Sequence, residues 1–377
     1  MTAGHPLTAD LDTALAQAET DLRSLAGSRL FLTGCTGFVG TWLLELLVWG
    51  AQRLNLDIAA VALTRSPASW SGRLPHLATS GVVTVVAGDV RSFTFPPGEF
   101  ATAILGAASS DNAWITAHPG EVASTIETGT RRGLAFADAG GASRVLLLSS
   151  GAVYGRQPAD LAAIPEDYAG QPPSDDAYAG AKRAAEALAL AWSGGPRSAV
   201  VARVFNVYGP YQPLHTHFAI ANFIADAIAG HPVMVRGDGS PVRSYLYGAD
   251  LAVALLACLV RGVAGAAYNV GGSDPIRLGE LADLVASLAS PPVDVRVLGS
   301  PGVPAGRYVP DVGRIAADLG VRAAVPLADG VRRTMAFASR GRTARDPSVP
   351  GSRRRRSDRV GTVSGDGRRH GAGEIGS

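Results

Sequence analysis

The stretch "RLFLTGCTGFVG" occupies residues 29–40, and the leucine-rich "TWLLELLVWG" follows it directly. An apolar run ends at Thr33, three glycines follow within seven residues, and a helical pattern then begins. These glycines are Gly34, Gly37 and Gly40. A strand, a tight turn and a helix in this order are typical of chains that place a helix N-terminus over a bound phosphate.

Each glycine has a separate task in such a turn. Gly34 permits the tight turn, Gly37 lets a pyrophosphate approach the backbone, and Gly40 lets the helix pack closely on the sheet. The helix begins at Phe38 and Val39, where free N–H groups and the positive end of the helix dipole face the phosphates. A dinucleotide is the ligand that this turn favours. The spacing is G-x-x-G-x-x-G rather than G-x-G-x-x-G, so an ordinary strand-to-helix turn is the alternative for this stretch alone.

Five further runs of apolar or β-branched residues follow, with helical patterns between several of them. Such runs are typical of strands that are buried on both faces of a parallel sheet. Together with the opening run at 29–33, they lie at 58–64, 82–88, 102–107, 144–150 and 199–205. The sequence therefore predicts an α/β fold with a Rossmann-type, doubly wound parallel sheet.

The organisation changes near residue 207, where proline-punctuated helices and short strands replace the regular alternation. We expect a smaller C-terminal lobe that binds the substrate. The predicted parts are an amphipathic helix at 1–26, a mainly Rossmann domain at 27–206, the mainly substrate-binding lobe at 207–340 and a tail at 341–377. The tail carries nine arginines and four acidic residues with few apolar side chains, so we expect it to be disordered.

Composition excludes several classes of protein. With 377 residues, 47% hydrophobic and 18% charged, the chain is long and apolar enough for a large core. Its longest apolar run, 251–260, is about half of what a bilayer-spanning helix needs. The N-terminus lacks the pattern of a signal peptide. We expect a cytoplasmic protein that binds neither membrane nor nucleic acid, and Cys35 and Cys258 offer neither a disulfide framework nor a metal site.

A tyrosine and a lysine lie four residues apart in "YAGAKRAAEALALAW" at 178–192. On a helix, Tyr178 and Lys182 project from one face. A cation held close to a phenol can lower its pKa by roughly 1 to 3 units, so Tyr178 can exchange a proton with a substrate hydroxyl while hydride moves to or from a nicotinamide. Ser150 ends a predicted parallel strand, where such folds bind ligands, and can hydrogen-bond the same oxygen.

Taken together, these segments resemble the extended short-chain dehydrogenase/reductases of the nucleotide-sugar epimerase/dehydratase type. The resemblance covers roughly residues 27–340. It rests on the order and spacing of "TGCTGFVG", "GDV", "SSGAVYG", "YAGAK", "RVFNVYGP", "RGDGSPVRSYLYGADLA", "YNVGG" and "RYVPD".

The resemblance implies roles for further residues. Asp89 and Val90 of "GDV" would flank the adenine, and Ser150, Tyr178 and Lys182 would form the catalytic set, with Tyr178 and Lys182 also contacting the dinucleotide. The substrate would be an NDP-sugar, whose diphosphate would contact Asn206 and Arg243, with Arg307 as a helper, because a guanidinium matches phosphate oxygens. We also expect a homodimer.

The chain departs from the family pattern at several positions. Dehydratases of this family carry an Asp-Glu pair after the catalytic Ser/Thr, and sugar-acid decarboxylases carry a Glu close by. This chain has Gly151 and Ala152 there, so no acid stands next to Ser150 to eliminate water. Many members also have an Asn where this chain has Ile126, and a His where it has Gly106.

The end of the second predicted strand bears on the choice of cofactor. Its "ALTRSP" lacks the acidic residue that holds the ribose 2′-hydroxyl of NAD and presents Thr64, Arg65 and Ser66 instead. Arg65 can admit a 2′-phosphate, or it can be a solvated loop residue. The cofactor is therefore NAD or NADP.

Three functional hypotheses follow. The first and favoured one is an NDP-sugar epimerase in which Tyr178 takes a hydroxyl proton, hydride goes to the bound nicotinamide, and hydride returns to the other face of the sugar. The second is an NADPH-dependent reductase of a keto-deoxysugar nucleotide. The third is a catalytically silent dinucleotide-binding module. A decarboxylase or a dehydratase is less favoured, although "GAKRAAE" also resembles the decarboxylase branch.

Overall fold

The computed structural model describes residues 4–109, 111–214, 218–300 and 306–343. The predicted disordered tail lies outside the described residues, apart from its first three positions, which end the last helix. The described part of the chain forms fourteen strands. They are β1 (Arg29–Leu32), β2 (Ala59–Thr64), β3 (Val83–Ala87), β4 (Thr102–Leu105), β5 (Arg144–Ser150), β6 (Ser198–Val204), β7 (Val207–Tyr208), β8 (Val233–Val235), β9 (Val242–Arg243), β10 (Leu246–Tyr247), β11 (Ala267–Val270), β12 (Ile276–Arg277), β13 (Val295–Val297) and β14 (Arg307–Tyr308).

Twelve α-helices connect these strands in the same described residues. They are α1 (Thr8–Ser24), α2 (Phe38–Arg53), α3 (Pro67–Arg73), α4 (Pro75–Ala78), α5 (Asn112–Ala117), α6 (Pro119–Ala139), α7 (Ala177–Trp192), α8 (Ala219–Ile228), α9 (Gly248–Arg261), α10 (Leu278–Ser287), α11 (Gly313–Leu319) and α12 (Leu327–Thr343). A short 3₁₀ turn, Gly151–Tyr154, follows β5.

Seven strands form one parallel sheet in the order β11-β6-β5-β4-β1-β2-β3. Every neighbouring pair in it is parallel. The order reverses between β1 and β4, which is the position where doubly wound sheets bind ligands. The predicted Rossmann-type fold is therefore confirmed, and each of the six predicted strands is present.

Helices cover both faces of the large sheet. On one face, α1, α2 and α9 bury a continuous apolar cluster that includes Trp42 and Trp49 of α2. On the other face, α6 and α7 pack over Phe31 of β1 and Leu147 of β5, and Phe136 of α6 lies in the same apolar cluster. Because both faces are covered, the strands are apolar throughout rather than alternating, as the sequence predicted.

Two segments that follow residue 207 in the sequence belong to the large sheet or to the helices that cover it. β11 pairs with β6 as its seventh strand, and α9 packs against α1, α2 and β6. The rest of that region builds three small sheets, β10-β7, β12-β9-β14 and β13-β8. The predicted domain boundary near residue 207 stays a prediction. β11, which follows this boundary in the sequence, is a strand of the large sheet.

Among the described residues, no helix combines the length and the apolar character that crossing a membrane requires.

Candidate active site

A groove of about 640 Å³ opens at the carboxyl ends of the central strands. Thr33 follows β1, Thr64 ends β2, Gly88 follows β3 and Ala107 follows β4, and all four line the groove. The groove thus lies at the strand-order reversal between β1 and β4. Its volume is within the range of small-molecule and cofactor sites.

The glycine turn forms one wall of this groove. Gly34 has φ +73°, and a Cβ atom there would lie 2.3 Å from the carbonyl oxygen of Gly106 on the neighbouring strand end. Gly37 is the N-cap residue of α2 and faces open space, with only Gly34 O within 4 Å of a Cβ placed on it. A side chain is therefore excluded at Gly34, and the backbone at Gly37 is open to a ligand.

Gly40 packs against the turn itself. A Cβ atom on Gly40 would lie 2.4 Å from the Cα of Cys35 and 2.7 Å from Gly34 O. The sequence predicted that Gly40 would bring the helix close to the sheet, and the structure shows that its contact is with the turn leading from β1. Phe38 and Val39 follow the groove residue Gly37 in the first turn of α2, where N–H groups have no partner within the helix.

Asp89 and Val90 line the groove just beyond β3. Asp89 accepts hydrogen bonds from Nε and Nη2 of Arg91 at 2.8 and 2.7 Å. This pairing lowers the pKa of Asp89 to about 2, so the carboxylate is an anion at neutral pH. A carboxylate held in this way can accept a hydrogen bond from an adenine amino group.

Two arginines border the same end of the groove. Arg65 follows β2 directly and is exposed, and Arg73 ends α3 and donates to the carbonyl oxygen of Thr36 at 2.5 Å. Sequence analysis singled out Arg65 but missed Arg73. Arg73 reaches the groove because α3 lies close to the glycine turn. No local sequence pattern indicates this contact.

Ser150, Tyr178 and Lys182 come together at the end of β5. The hydroxyl of Ser150 shares a hydrogen bond with Tyr178, which lies in the first turn of α7. The Nζ of Lys182 lies 5.7 Å from the centre of the Tyr178 ring and donates to Leu148 O at 2.7 Å. Asp176 caps α7 by accepting from the Ala179 N–H, which fixes the start of the helix.

The electrostatics of this set differ from the prediction. Burial raises the pKa of the Tyr178 phenol, and the hydrogen bond with Ser150 opposes that shift only in part. Burial also lowers the pKa of Lys182 to about 8, against the attraction of Glu186. The expected lowering of the Tyr178 pKa by Lys182 is not found in the protein by itself, because burial dominates and Lys182 is not among the groups that shift this pKa.

A second tyrosine completes the cluster. Tyr308 of β14 shares a hydrogen bond with Ser150, and its ring packs against Phe205 at 4.6 Å between centroids. Burial and the nearby Tyr178 raise its pKa. Sequence analysis missed Tyr308, although it is the second residue of the "RYVPD" motif, because the motif does not show which of its residues reaches Ser150.

The three residues expected at the diphosphate lie in different settings. Arg243 of β9 is opposite Tyr308 in the register with β14, and its Nη1 donates to Val242 O and Gly306 O at 2.8 Å. The structure therefore brings Arg243 to the catalytic cluster. Asn206 donates weakly to Ser244 O at 3.3 Å, and Arg307 donates to Ala162 O at 2.6 Å. Arg307 is thus held by the backbone one residue away from the position that meets Ser150.

Several other motif residues form a buried network behind the catalytic strand. Arg203 pairs with Glu186 at 2.7 Å and donates to the Tyr154 hydroxyl at 2.7 Å. That hydroxyl donates to Asn269 Oδ1 at 2.8 Å, which joins the "SSGAVYG" and "YNVGG" motifs. These residues position β5, β6 and β11 relative to one another, so their part in the motifs is structural.

The departures at Gly106 and Ile126 have structural counterparts. A Cβ atom on Gly106 would lie 2.6 Å from Leu148 Cδ1, so a histidine would not fit without displacing that side chain. Ile126 of α6 is buried in the apolar cluster beside the sheet. The thiols Cys35 and Cys258 are also buried, which raises the pKa of each to about 12 and leaves neither as a nucleophile.

Comparison with known proteins identifies the family of the chain. A model of the NAD dependent epimerase/dehydratase family matches residues 30–271. UDP-glucuronic acid decarboxylase 1 of Danio rerio is 28% identical over 318 residues, which cover 83% of this chain and 73% of that protein. UDP-glucuronic acid decarboxylase 1 of Arabidopsis thaliana is 31% identical, but the match covers only 41% of this chain and 36% of that protein.

A solved structure shows the same architecture. The dTDP-glucose 4,6-dehydratase of Streptomyces venezuelae, crystallised as a double mutant with NAD bound, superposes with a TM-score of 0.71 at 25% identity. The match covers 84% of this chain and 98% of that one.

Proposed function

This chain belongs to the NAD dependent epimerase/dehydratase family, and from that premise we propose that it is an NDP-sugar epimerase that transiently oxidises a sugar hydroxyl. The observation that carries the proposal is the arrangement around Ser150. Two tyrosine hydroxyls meet the Ser150 hydroxyl, and no acidic side chain follows it at positions 151 and 152. This arrangement can remove and return a proton, but it lacks the adjacent acid that elimination of water would require.

The groove fits an extended dinucleotide. The backbone of Gly37 and the N–H groups of Phe38 and Val39 would face the pyrophosphate, and Asp89 with Val90 would flank the adenine. A bound nicotinamide would accept hydride from the sugar carbon and later return it. The relative with the same fold binds NAD. Arg65 and Arg73 leave NADP as the alternative cofactor.

Tyr178 is the proposed base in the oxidation and the proposed acid in the reverse step. Ser150 would hydrogen-bond the reacting sugar oxygen and hold it against the Tyr178 phenol. The burial that raises the pKa of Tyr178 makes the phenol hold its proton firmly once taken, and a cationic ring nearby would oppose that shift. Lys182 anchors the tyrosine helix to the Leu148 carbonyl and supplies positive charge below its pKa of about 8.

The other lobe supplies the substrate-binding part of the proposal. Arg243 keeps guanidinium N–H groups close to the catalytic cluster, and such a cation suits the diphosphate of an NDP-sugar. The named relatives act on UDP- and dTDP-sugars. The keto-sugar would turn within this lobe, so that hydride returns to its opposite face.

Decarboxylation is the second candidate, and the likeness to UDP-glucuronic acid decarboxylases favours it. The same oxidation next to a sugar carboxylate would make carbon dioxide a leaving group. Ser150, Tyr178 and Lys182 would have the same roles.

Mass spectrometry of products separates these candidates. Released cofactor should be identified first, and the full-length protein then incubated with a panel of UDP- and dTDP-sugars without added reductant. An epimerase yields an isomer of unchanged mass. Loss of carbon dioxide establishes the decarboxylase and loss of water establishes a dehydratase. A product formed only after NADPH is added establishes the reductase, and no turnover with or without NADPH favours the silent module.

A further inference from the structure

A second cluster of ionisable side chains lies away from the groove. It consists of His5 before α1, Glu45 in the middle of α2 and His76 in α4. None of these three residues lines the groove. One nitrogen from each imidazole and one carboxylate oxygen lie within 4.8 Å of one another.

The carboxylate of Glu45 is buried, which is unusual for an acidic side chain. The side chain of Glu45 is 0% exposed, that of His5 is 7% exposed and that of His76 is 27% exposed. Glu45 lies in the helix "FVGTWLLELLVWGAQR", where it is surrounded by apolar residues. A buried carboxylate is costly unless it is paired with a cation or coordinates a metal.

Two atoms in the cluster lack partners. His5 Nε2 and Glu45 Oε2 are buried and make no hydrogen bond within the described part of the chain. They lie 3.6 Å apart, which is too long for a hydrogen bond. Their counterparts are satisfied, since Glu45 Oε1 is 2.7 Å from His76 Nε2. An unpartnered nitrogen and oxygen that face each other in the core are the arrangement that a shared cation would satisfy.

We propose that His5, Glu45 and His76 bind a Zn²⁺ ion and supply three of its four ligands. Two imidazole nitrogens and one carboxylate oxygen suit Zn²⁺, whereas Mg²⁺ and Ca²⁺ prefer oxygen ligands alone. Ligand atoms around tetrahedral Zn²⁺ are about 3.3 Å apart. The 3.6 Å between His5 Nε2 and Glu45 Oε2 is close to that spacing, whereas the 2.7 Å contact of His76 Nε2 with Glu45 Oε1 must open when the ion binds. The metal binds at His5 Nε2 when Nδ1 takes the proton, which replaces the long 3.3 Å hydrogen bond from the Leu7 N–H.

Tyr211 would hold the Glu45 carboxylate in place beside the ion. The hydroxyl of Tyr211 donates to Glu45 Oε1, as residues around metal ligands commonly do. Tyr211 has φ +73°, a conformation that a tyrosine adopts only when its surroundings enforce it. The ion therefore ties four segments that are distant in sequence: the residues before α1, α2, α4 and the loop around Tyr211.

Zinc binding by the full-length protein tests the proposal without any activity measurement. After dialysis against EDTA, the wild type should take up one Zn²⁺ per chain in a calorimetric titration and show the visible absorption of tetrahedral Co²⁺ when Co²⁺ replaces it. His5→Gln and His76→Gln should each lower the affinity by about 10²-fold or more. His231→Gln, which changes an exposed histidine, should bind as the wild type does.

Thermal unfolding gives a second readout, in which each variant is compared with itself in the presence of Zn²⁺ and of EDTA. Zn²⁺ at about a hundredfold excess over its dissociation constant should raise the melting temperature of the wild type by about 5 °C. The melting temperatures of His5→Gln and His76→Gln should not respond to Zn²⁺ or EDTA. Equal zinc affinity in wild type and His5→Gln would overturn the proposal.

Discussion

A Cβ atom on Gly151 would lie 2.3 Å from the hydroxyl oxygen of Tyr308, well inside van der Waals contact. The family pattern described in the sequence analysis has acids at or near this point, after the catalytic Ser/Thr. In this chain Tyr308 occupies the space beside Gly151, so a side chain at position 151 would displace the tyrosine.

Gly151→Ala tests this relationship. The added methyl group would displace Tyr308 and also Phe205, whose ring atoms lie 2.8 Å from the Cβ position. We expect turnover to fall by roughly tenfold or more, because displacement of a positioned group by about 1 Å is costly. Gly180→Ala is the matched control, since a Cβ there has nothing within 4 Å although it lies on the tyrosine helix. Equal effects of the two substitutions would contradict the account.

Tyr178→Phe removes only the proton carrier. The ring stays in place, so dinucleotide affinity should change little while turnover falls by about 10² to 10⁴. Tyr308→Phe should reduce turnover by less, because Tyr308 positions Ser150 rather than taking the proton. If Tyr308→Phe is the more damaging variant in steady-state assays, the two tyrosines have been assigned the wrong way round.

Lys182 should make the protein less stable than it could be. Its pKa falls from 10.5 to about 8 on folding, so between these values the unfolded chain binds more protons and stability rises with pH. Below about pH 8 the charged lysine therefore opposes folding. Lys182→Met should be more stable than the wild type by about 2 kcal/mol at neutral pH, with lower activity.

That difference should shrink as the pH rises from about 8 toward 10.5. Urea unfolding of both proteins at several pH values measures it. A Lys182→Met variant that is less stable at neutral pH would show that the hydrogen bond to Leu148 O outweighs the cost of burying the charge.

Arg65→Ala should discriminate between the cofactors. A guanidinium at the end of β2 can pair with a 2′-phosphate but gains little from a 2′-hydroxyl. We expect the affinity for NADP to fall by roughly tenfold, and that for NAD by much less. Arg296→Ala is the control, because Arg296 is exposed and does not line the groove. Fluorescence titration with both reduced cofactors gives the comparison, and equal losses would exclude a role in recognising the 2′ position.

Much of the fold could be predicted, because local sequence patterns indicate the strands and the glycine turn. The six predicted strands are continuous apolar runs, and the strand-turn-helix at residues 29–40 carries its glycines at the positions where the backbone needs them. The sequence did not show that β11 joins the large sheet, because a four-residue strand has the same composition in either setting. Only its pairing with β6 decides between them.

The site was predictable only where a motif names the residue. Ser150, Tyr178 and Lys182 stand in recognisable motifs, and the structure brings them together. Tyr308 and Arg73 reach the site through tertiary contacts that no spacing encodes. The pKa of Tyr178 was misjudged for the same reason, since the degree of burial depends on what packs over α7 and cannot be read from a spacing of four residues.

An isotope experiment tests the central claim of transient oxidation most directly. An NDP-sugar carrying deuterium on the reacting carbon should give an isomer of identical mass without added reductant, with the deuterium on that same carbon, because hydride leaves and returns to one position. Loss of deuterium to solvent, or a product formed only with added NADH or NADPH and heavier by one hydride and one proton, would contradict the internal redox cycle.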